Sequence, residues 1–311
     1  MKKQTLLTHP VSAGLMAVFC CLLWGSVVPF LNVGYREFLI ASGDTATLIL
    51  FAGCRFLMAG ALTVLFASAG KRRFARPKAS NWHLAFALAF VQTVLQYVTF
   101  YVGVANTPSV KAAIIQGMIA FVNLMVACFL FRTERMNPLK WLGGLLGLAG
   151  IVLVNFDGTG LAGAMTLRGE GALLMSMFFN GVSACMIKRF GSRDDAATLS
   201  GWQFIFGGAA MIAMGYLFGG RLYPQSFLAI AVLLYLALVS AVAYTLWALL
   251  LSCNPVSKVT AYTCLQPLFG VALSLVLVPV SDVPYLRYGA ALLLVCLSIA
   301  VIGRAQQKKR L

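Results

Sequence analysis

Polar side chains recur at helical spacing inside one of the apolar segments of this chain. Gln92, Gln96 and Thr99 share one face of a helix, because the spacing is four and then three residues, and Tyr97 and Tyr101 lie beside them. A polar side chain at the middle of a membrane is costly and usually faces other protein groups or a water-filled cavity. Amides next to aromatic rings therefore predict the binding of a small polar molecule with some apolar bulk.

Other apolar segments add polar and aromatic side chains to this candidate site. Gln116 and Asn123 are seven residues apart and also share a helical face. A helix–helix hydrogen bond is the alternative interpretation for any single amide, and core packing is the alternative for the rings. The candidate substrate-binding residues are Trp24, Arg55, Gln92, Gln96, Tyr97, Tyr101, Gln116, Asn123, Asn180, Tyr244, Trp247 and Gln266.

Arg55 stands apart because it is the one Lys or Arg near the middle of an apolar segment. It has two interpretations. It is either a structural anchor bonded to backbone carbonyls, or a donor of charge-assisted hydrogen bonds to a substrate carboxylate.

The residue patterns of an enzyme are missing from the sequence. All eight acidic residues and both histidines lie at predicted helix ends or in loops, and the eight cysteines form no C-x-x-C pair. Acid–base pairs, metal ligands and activated nucleophiles are the usual catalytic groups. The sequence therefore predicts no catalytic residue, no metal site and no cofactor, and a membrane-embedded enzyme is the disfavoured alternative.

Ten apolar segments determine the predicted architecture. Hydrophobic residues make up 61% of the 311 residues and charged residues only 10%. About 20 apolar residues in a helix cross a bilayer, and lipid offers the backbone no hydrogen bonds. The prediction is an all-α polytopic membrane protein with transmembrane helices at Val11–Val33, Thr45–Ala69, Trp82–Val104, Ala112–Phe131, Leu139–Phe156, Gly171–Ile187, Ala196–Phe218, Phe227–Leu251, Val259–Val278 and Leu286–Ile302.

The positive charges predict the orientation of these helices. With the N-terminus in the cytoplasm, 18 Lys and Arg residues fall on the cytoplasmic side and five on the outer side. Lys and Arg favour cytoplasmic loops, so both termini are expected in the cytoplasm, in the inner membrane of a bacterial cell. The net charge of +16 then predicts contact with membrane lipid head groups rather than with nucleic acid.

The two halves of the chain resemble one another at an offset of 146 to 148 residues. The matches support one repeat over residues 1–156 and a second over 157–311, each with five predicted helices. Since five is odd, the second repeat is expected to be inverted, as in many secondary transporters that alternate access around a midplane site. The matched pairs are Gly53 and Gly201, Arg55 and Gln203, Phe56 and Phe204, Gly60 and Gly208, Tyr97 and Tyr244, Pro108 and Pro255, Lys111 and Lys258, Pro138 and Pro284, and Gly143 and Gly289.

Short motifs along almost the whole chain resemble the drug/metabolite transporter superfamily, in its ten-helix form with two EamA-type repeats. The resemblance implies small-metabolite transport, commonly export, as in exporters of aromatic amino acids and other metabolites. Two positions depart from the pattern: Val280 is the repeat partner of Glu134, and Asn180 stands where a second-repeat Trp is expected. The residues that carry the resemblance are Trp24, Gly25, Pro29, Arg55, Phe56, Phe131–Arg135, Gly143, Gly147, Gly150, Gln266 and Pro267.

The expected substrates are amino acids or similar zwitterions, because the candidate site mixes amides with aromatic rings. A multidrug-type exporter of apolar or cationic compounds is the alternative, although the buried carboxylate that it would use is not predicted. Gly143, Gly147 and Gly150 permit close helix contact, either inside the monomer or in a homodimer.

Overall fold

The computed structural model describes residues 7, 9–41, 43–132, 136–155, 165–190, 193–253, 262, 265–277 and 285–307. Within these residues all regular structure is helical. The α-helices, numbered in chain order, are α1 (Pro10–Glu37), α2 (Thr45–Lys71), α3 (Trp82–Leu88), α4 (Gln96–Ala105), α5 (Ser109–Gln116), α6 (Ile119–Met125), α7 (Pro138–Asn155), α8 (Ala172–Phe190), α9 (Ala196–Leu217), α10 (Phe227–Cys253), α11 (Leu265–Leu277) and α12 (Tyr285–Gln307).

Several helical runs have the length and the composition of membrane-crossing segments. Among the described residues six runs qualify, and two shorter apolar helices cover Ile114–Leu130 and Leu286–Ser298. For these six long runs the predicted boundaries agree with the observed ones to within four residues, because the length of the apolar segment determines both. The six long runs are Val11–Glu37, Thr45–Gly70, Ala79–Ala105, Leu167–Ile187, Ala197–Leu217 and Phe227–Trp247.

Acidic side chains begin two of the long helices. An Asp44 oxygen accepts a hydrogen bond from the Thr47 amide at 3.0 Å and so caps α2. Asp195 does the same for α9 with the Thr198 amide at 2.8 Å. Each cap satisfies an amide that has no partner inside its own helix.

In the part of the chain that the structure describes, π-helical turns occur at Ala89–Leu95, Val126–Leu130 and, directly before α8, Leu167–Gly171. The first joins α3 to α4 inside the third predicted span, and the second ends the fourth predicted span. A π turn accommodates about one residue more than an α turn. Side chains before and after it are therefore rotated by about 100° from their positions on an uninterrupted α-helix.

The fourth predicted span contains a further break that the sequence analysis did not predict. The amides of Gly117 and Met118 bond to the carbonyls of Ile114 and Ile115, three residues back rather than four. Such tight turns separate α5 from α6, so the amide-bearing face of this segment is divided between two helices.

Glycines allow α2 and α9 to approach closely. A Cβ atom at Gly53 would lie 2.9 Å from the carbonyl oxygen of Gly208, and one at Gly60 would lie 2.8 Å from that of Gly201. These contacts leave no room for a side chain between α2 and α9. They join the first half of the chain to the second.

Two glycines of α7, Gly147 and Gly150, pack against α12 of the same chain. A Cβ atom at Gly147 would lie 2.9 Å from Ser298 Oγ, and one at Gly150 would lie 2.9 Å from Val295 Cγ2, both on α12. Leu145 and Leu148 on another part of α7 are exposed. The small-residue pattern thus packs α7 against α12 within one molecule.

Some sequence predictions concern positions outside the described residues. These positions include residues 133–135 of the Phe131–Arg135 motif and the second-half residues Pro255, Lys258, Val280 and Pro284.

Candidate functional site

Four aromatic side chains form a ring at the contact between the two halves of the chain. The hydroxyls of Tyr97 on α4 and Tyr244 on α10 are 3.0 Å apart. Phe56 on α2 packs against Tyr97 with ring centroids 4.1 Å apart, and Phe204 on α9 packs against Tyr244 at 5.1 Å. Phe56 and Phe204 stack on each other at 5.3 Å, which closes the ring.

Two tryptophans extend this aromatic group towards α1. The Trp24 ring meets the Tyr244 ring edge-on at 5.8 Å and the Trp247 ring at 5.0 Å. All three side chains are half-buried. Edge-on rings with a phenol hydroxyl beside them offer apolar surface and one polar group to the same ligand.

Arg55 lies next to the aromatic ring, and each of its three guanidinium nitrogens donates a hydrogen bond to a protein group. Its Nε donates to the Leu236 carbonyl at 3.2 Å, its Nη1 to the Tyr101 hydroxyl at 2.8 Å and its Nη2 to the Ser240 hydroxyl at 2.9 Å. The residue is only 2% exposed. Of the two sequence interpretations, this geometry matches the anchor, although two of the three acceptors are side chains.

A second buried hydrogen bond crosses between the halves near the same tyrosines. Gln203 Nε2 on α9 donates to Gln92 Oε1 in the π turn at 2.7 Å, and both side chains are buried. Thr93 adds a long contact, from its hydroxyl to the Gln203 carbonyl at 3.5 Å.

Asn123 and Asn180 form a separate polar pair. Asn123 Nδ2 on α6 donates to Asn180 Oδ1 on α8 at 2.9 Å. Within the described part of the chain, Asn123 Oδ1 has no hydrogen-bond partner, nor do Gln96 Oε1 and Gln116 Nε2. An unmet hydrogen bond is costly in a low-dielectric interior, so a polar partner at any of these three amide atoms would be stabilising.

The predicted residues therefore fall into three groups. The first, around the aromatic ring, contains Trp24, Arg55, Gln92, Tyr97, Tyr101, Tyr244 and Trp247. The second is the Asn123–Asn180 pair. Gln96, Gln116 and Gln266 make up the third: they lie on α4, α5 and α11 without a described side-chain hydrogen bond to the other candidates.

Four residues of the central group were not among the predicted substrate-binding residues. The repeat matches already included Phe56, Gln203 and Phe204, whereas Ser240 was not a candidate. A usable signal existed for Gln203, since an amide in the middle of an apolar segment is itself costly. Ser240 gives little signal, because a helical serine can bond to its own backbone.

The described residues contain no group of three or more His, Cys, Asp or Glu side chains arranged to hold a metal ion.

Comparison with known proteins gives one family and several relatives. The sequence model of the EamA-like transporter family matches this chain twice, over residues 11–156 and 167–304. An "Uncharacterized transporter" of Archaeoglobus fulgidus is 27% identical over 259 residues, which cover 82% of this chain and 85% of that protein. The "Uncharacterized transporter YvbV" of Bacillus subtilis is 24% identical over 272 residues, 84% of each chain.

A third relative, the "Uncharacterized transporter sll0355" of Synechocystis, is 26% identical and covers 96% of this chain and 92% of its own. A solved crystal structure superposes with a TM-score of 0.66 at 17% identity, over 94% of this chain and 97% of that one. This level of identity shows a shared fold alone.

Proposed function

We propose, from the premise that this chain belongs to the EamA-like transporter family, that it is a secondary transporter of small organic metabolites. Its relatives are transporters and its long helices are apolar, so it is a polytopic helical membrane protein of the transporter type. The proposed substrates are amino acids or similar zwitterions. The proposed mechanism is alternating access around a midplane site, without a catalytic step.

The hydrogen bond between Tyr97 and Tyr244 is the observation that carries the substrate proposal. It joins opposite halves of the chain at 3.0 Å, beside the half-buried rings of Trp24 and Trp247. Two phenol hydroxyls that bond to each other can exchange that bond for the ammonium or carboxylate group of a substrate. The indole rings then cover the apolar part of the same molecule.

Ten membrane-spanning helices in two inverted repeats are part of the proposal. Gly53 matches Gly201 in sequence and Gly60 matches Gly208, whereas the contacts run from Gly53 to Gly208 and from Gly60 to Gly201. This reciprocal exchange is characteristic of a two-fold axis. The stack of Phe56 on its counterpart Phe204 supports the same relation, as does the tyrosine pair. Two equivalent halves give two conformations of similar energy, one open to each side.

A carrier for apolar organic cations is the second candidate. The faces of Trp24, Tyr244 and Trp247 favour it, since aromatic rings attract organic cations. Against it, no carboxylate belongs to the central group of side chains described above, and such a carrier would gain affinity from one.

Transport by purified protein in liposomes tests the proposal. We expect uptake of at least one radiolabelled amino acid, and a roughly tenfold lower rate for Tyr97→Phe and for Tyr244→Phe, the size of one lost hydrogen bond. Tyr223→Phe is the matched control, because that tyrosine is exposed and lies in the connection before α10. Uptake of quaternary ammonium compounds but of no amino acid would favour the second candidate. Folded protein that moves neither class would refute both.

The proposed orientation has both termini in the cytoplasm of a bacterial cell, with the loops carrying most Lys and Arg on the same side. In a cysteine-free variant, a single cysteine at Arg73 should be protected from an impermeant thiol reagent in intact cells. A single cysteine at Arg221 should react. The reverse labelling pattern would overturn the orientation.

A further inference from the structure

Two hydrogen bonds cross between the halves of the chain at the segments that carry the tyrosine pair, and we call them braces. Arg55 on α2 bonds to Ser240 on α10 at 2.9 Å, and Gln203 on α9 bonds to Gln92 in the π turn at 2.7 Å. Each bond therefore links a helix of one half to the helical segment of the other half that carries a central tyrosine.

These two bonds join equivalent positions. Arg55 and Gln203 are separated by 148 residues and are matched in sequence, and Gln92 and Ser240 are also separated by 148 residues. The bond from Arg55 to Ser240 is therefore the counterpart of the bond from Gln203 to Gln92. The two bonds join the same pair of positions in each half but differ in chemistry. One runs from a guanidinium to a hydroxyl group, and the other runs between two amides.

The first π turn explains why the tyrosines follow a different offset. Tyr97 and Tyr244 are 147 residues apart, one residue fewer than the separation of 148 between the equivalent residues of the two bonds, Arg55–Ser240 and Gln203–Gln92. Ser240 precedes Tyr244 by four residues on a regular α-helix, whereas Gln92 precedes Tyr97 by five residues across the π turn Ala89–Leu95. A π turn closes over five residues and an α turn over four. In both halves the brace thus lies one helical turn from the tyrosine.

From this geometry we infer that Arg55 and Gln203 are positioning residues that hold the two tyrosines of the proposed substrate site. The inference rests on the proposed transport function. Arg55 is 2% exposed and Gln203 is fully buried, so each acts through the helix it braces and not by touching substrate. The positively charged guanidinium of Arg55 donates hydrogen bonds to Leu236, Tyr101 and Ser240. Loss of either brace frees the tyrosine of the opposite half and lowers the affinity for substrate.

Transport kinetics give the first test. Gln203→Met keeps the length of the side chain but removes the bond, and Ser240→Ala removes the other brace; each should raise KM about tenfold with a nearly unchanged maximal rate. Gln203→Arg copies the residue of the other half and can still donate to Gln92, so its KM should stay within about threefold of wild type. Thr63→Val is the control, because Thr63 is buried on α2 and its hydroxyl bonds to Ala59 of the same helix.

A spectroscopic test does not depend on any substrate. With 3-fluorotyrosine at position 97 alone, the ¹⁹F resonance should shift or broaden in Gln203→Met and should stay unchanged in Thr63→Val. With the label at position 244, Ser240→Ala should have the same effect. An unmoved resonance together with a wild-type KM in either brace variant would overturn the inference, as would an equal change in Thr63→Val. Failure to find any transported compound would count against the proposed function and leave the ¹⁹F result to decide the positioning role.

Discussion

The two ends of α8 are both tied to the first half of the chain by a carboxylate, but in different surroundings. Before α8, Glu170 forms an ion pair with Lys111 of α5, and the Glu170 side chain is only 3% exposed. After α8, Asp194 accepts hydrogen bonds from the Lys78 amide at 2.8 Å and from Asn81 Nδ2 at 3.0 Å. The Lys78 contact is exposed to solvent.

We expect burial, more than the number of partners, to determine how much free energy such a contact contributes to folding. Water can replace the donors around Asp194 if they are lost, so little free energy of folding depends on them. Glu170 has no such replacement. Its other oxygen accepts from the Thr166 amide at 2.8 Å, and removing Lys111 would leave a charge in a nearly dry site.

The largest expected effect follows from breaking the buried pair. Lys111→Met should lower the free energy of unfolding by about 3 to 5 kcal/mol, because the Glu170 charge is left without its ion-pair partner. Chemical or thermal unfolding of the purified protein in detergent measures the change. The double variant Lys111→Met with Glu170→Gln removes both charges and should cost clearly less than the single variant. If it costs as much as or more than the sum of the two single changes, the pair is not the source of the effect.

The glycines of α2 and α9 form a different, uncharged contact between the halves. Gly60→Ala should destabilise the protein by about 1 to 3 kcal/mol, since the added methyl group would lie 2.8 Å from the Gly201 carbonyl oxygen. Gly70→Ala, on the same helix with nothing within 4 Å, should be neutral or stabilise by up to about 1 kcal/mol. A lower melting temperature for Gly60→Ala, together with an unchanged or higher one for Gly70→Ala, would support a backbone contact at Gly60. Equal shifts would mean that helix propensity alone explains both variants.

Most helix positions could be predicted from the sequence, because the length of an apolar segment and its flanking charges carry the information. Thr45–Ala69 was predicted for the second span, and α2 covers Thr45–Lys71. The internal matches also pointed to Tyr97 and Tyr244 before their contact was known. What the sequence did not give was the π turn at Ala89–Leu95, since a one-residue insertion in a helix leaves the apolar pattern almost unchanged.

Burial of polar groups was the other part that the sequence could not supply. Glu170 was predicted only as a residue near a helix end, and its exposure depends on how Lys111 and the 167–171 turn pack in three dimensions. The bond partner of Gln92 was likewise hidden, because Gln203 is 111 residues away in the chain. Long-range pairing of this kind leaves no periodic signal in a single sequence.

The smallest effect belongs to Asp194, and it should depend on pH. Burial acts to raise the pKa of this carboxyl, but hydrogen bonds from Asn81 and from the Lys78 and Asp195 amides outweigh it and hold the pKa below its usual value. A lowered pKa in the folded state stabilises the protein above the pKa of the unfolded state, about 3.9 for Asp. The stabilisation is lost as the pH falls through the lower pKa of the folded state.

Asp194→Asn should therefore lower the free energy of unfolding by less than about 1 kcal/mol at pH 7, and the difference from wild type should shrink as the pH is lowered towards 3. Melting temperatures of both proteins across this range measure it. If the difference in melting temperature between wild type and Asp194→Asn stays constant with pH, the loss of charge is not its cause. Hydrogen-bond geometry alone would then explain the contribution of Asp194 to stability.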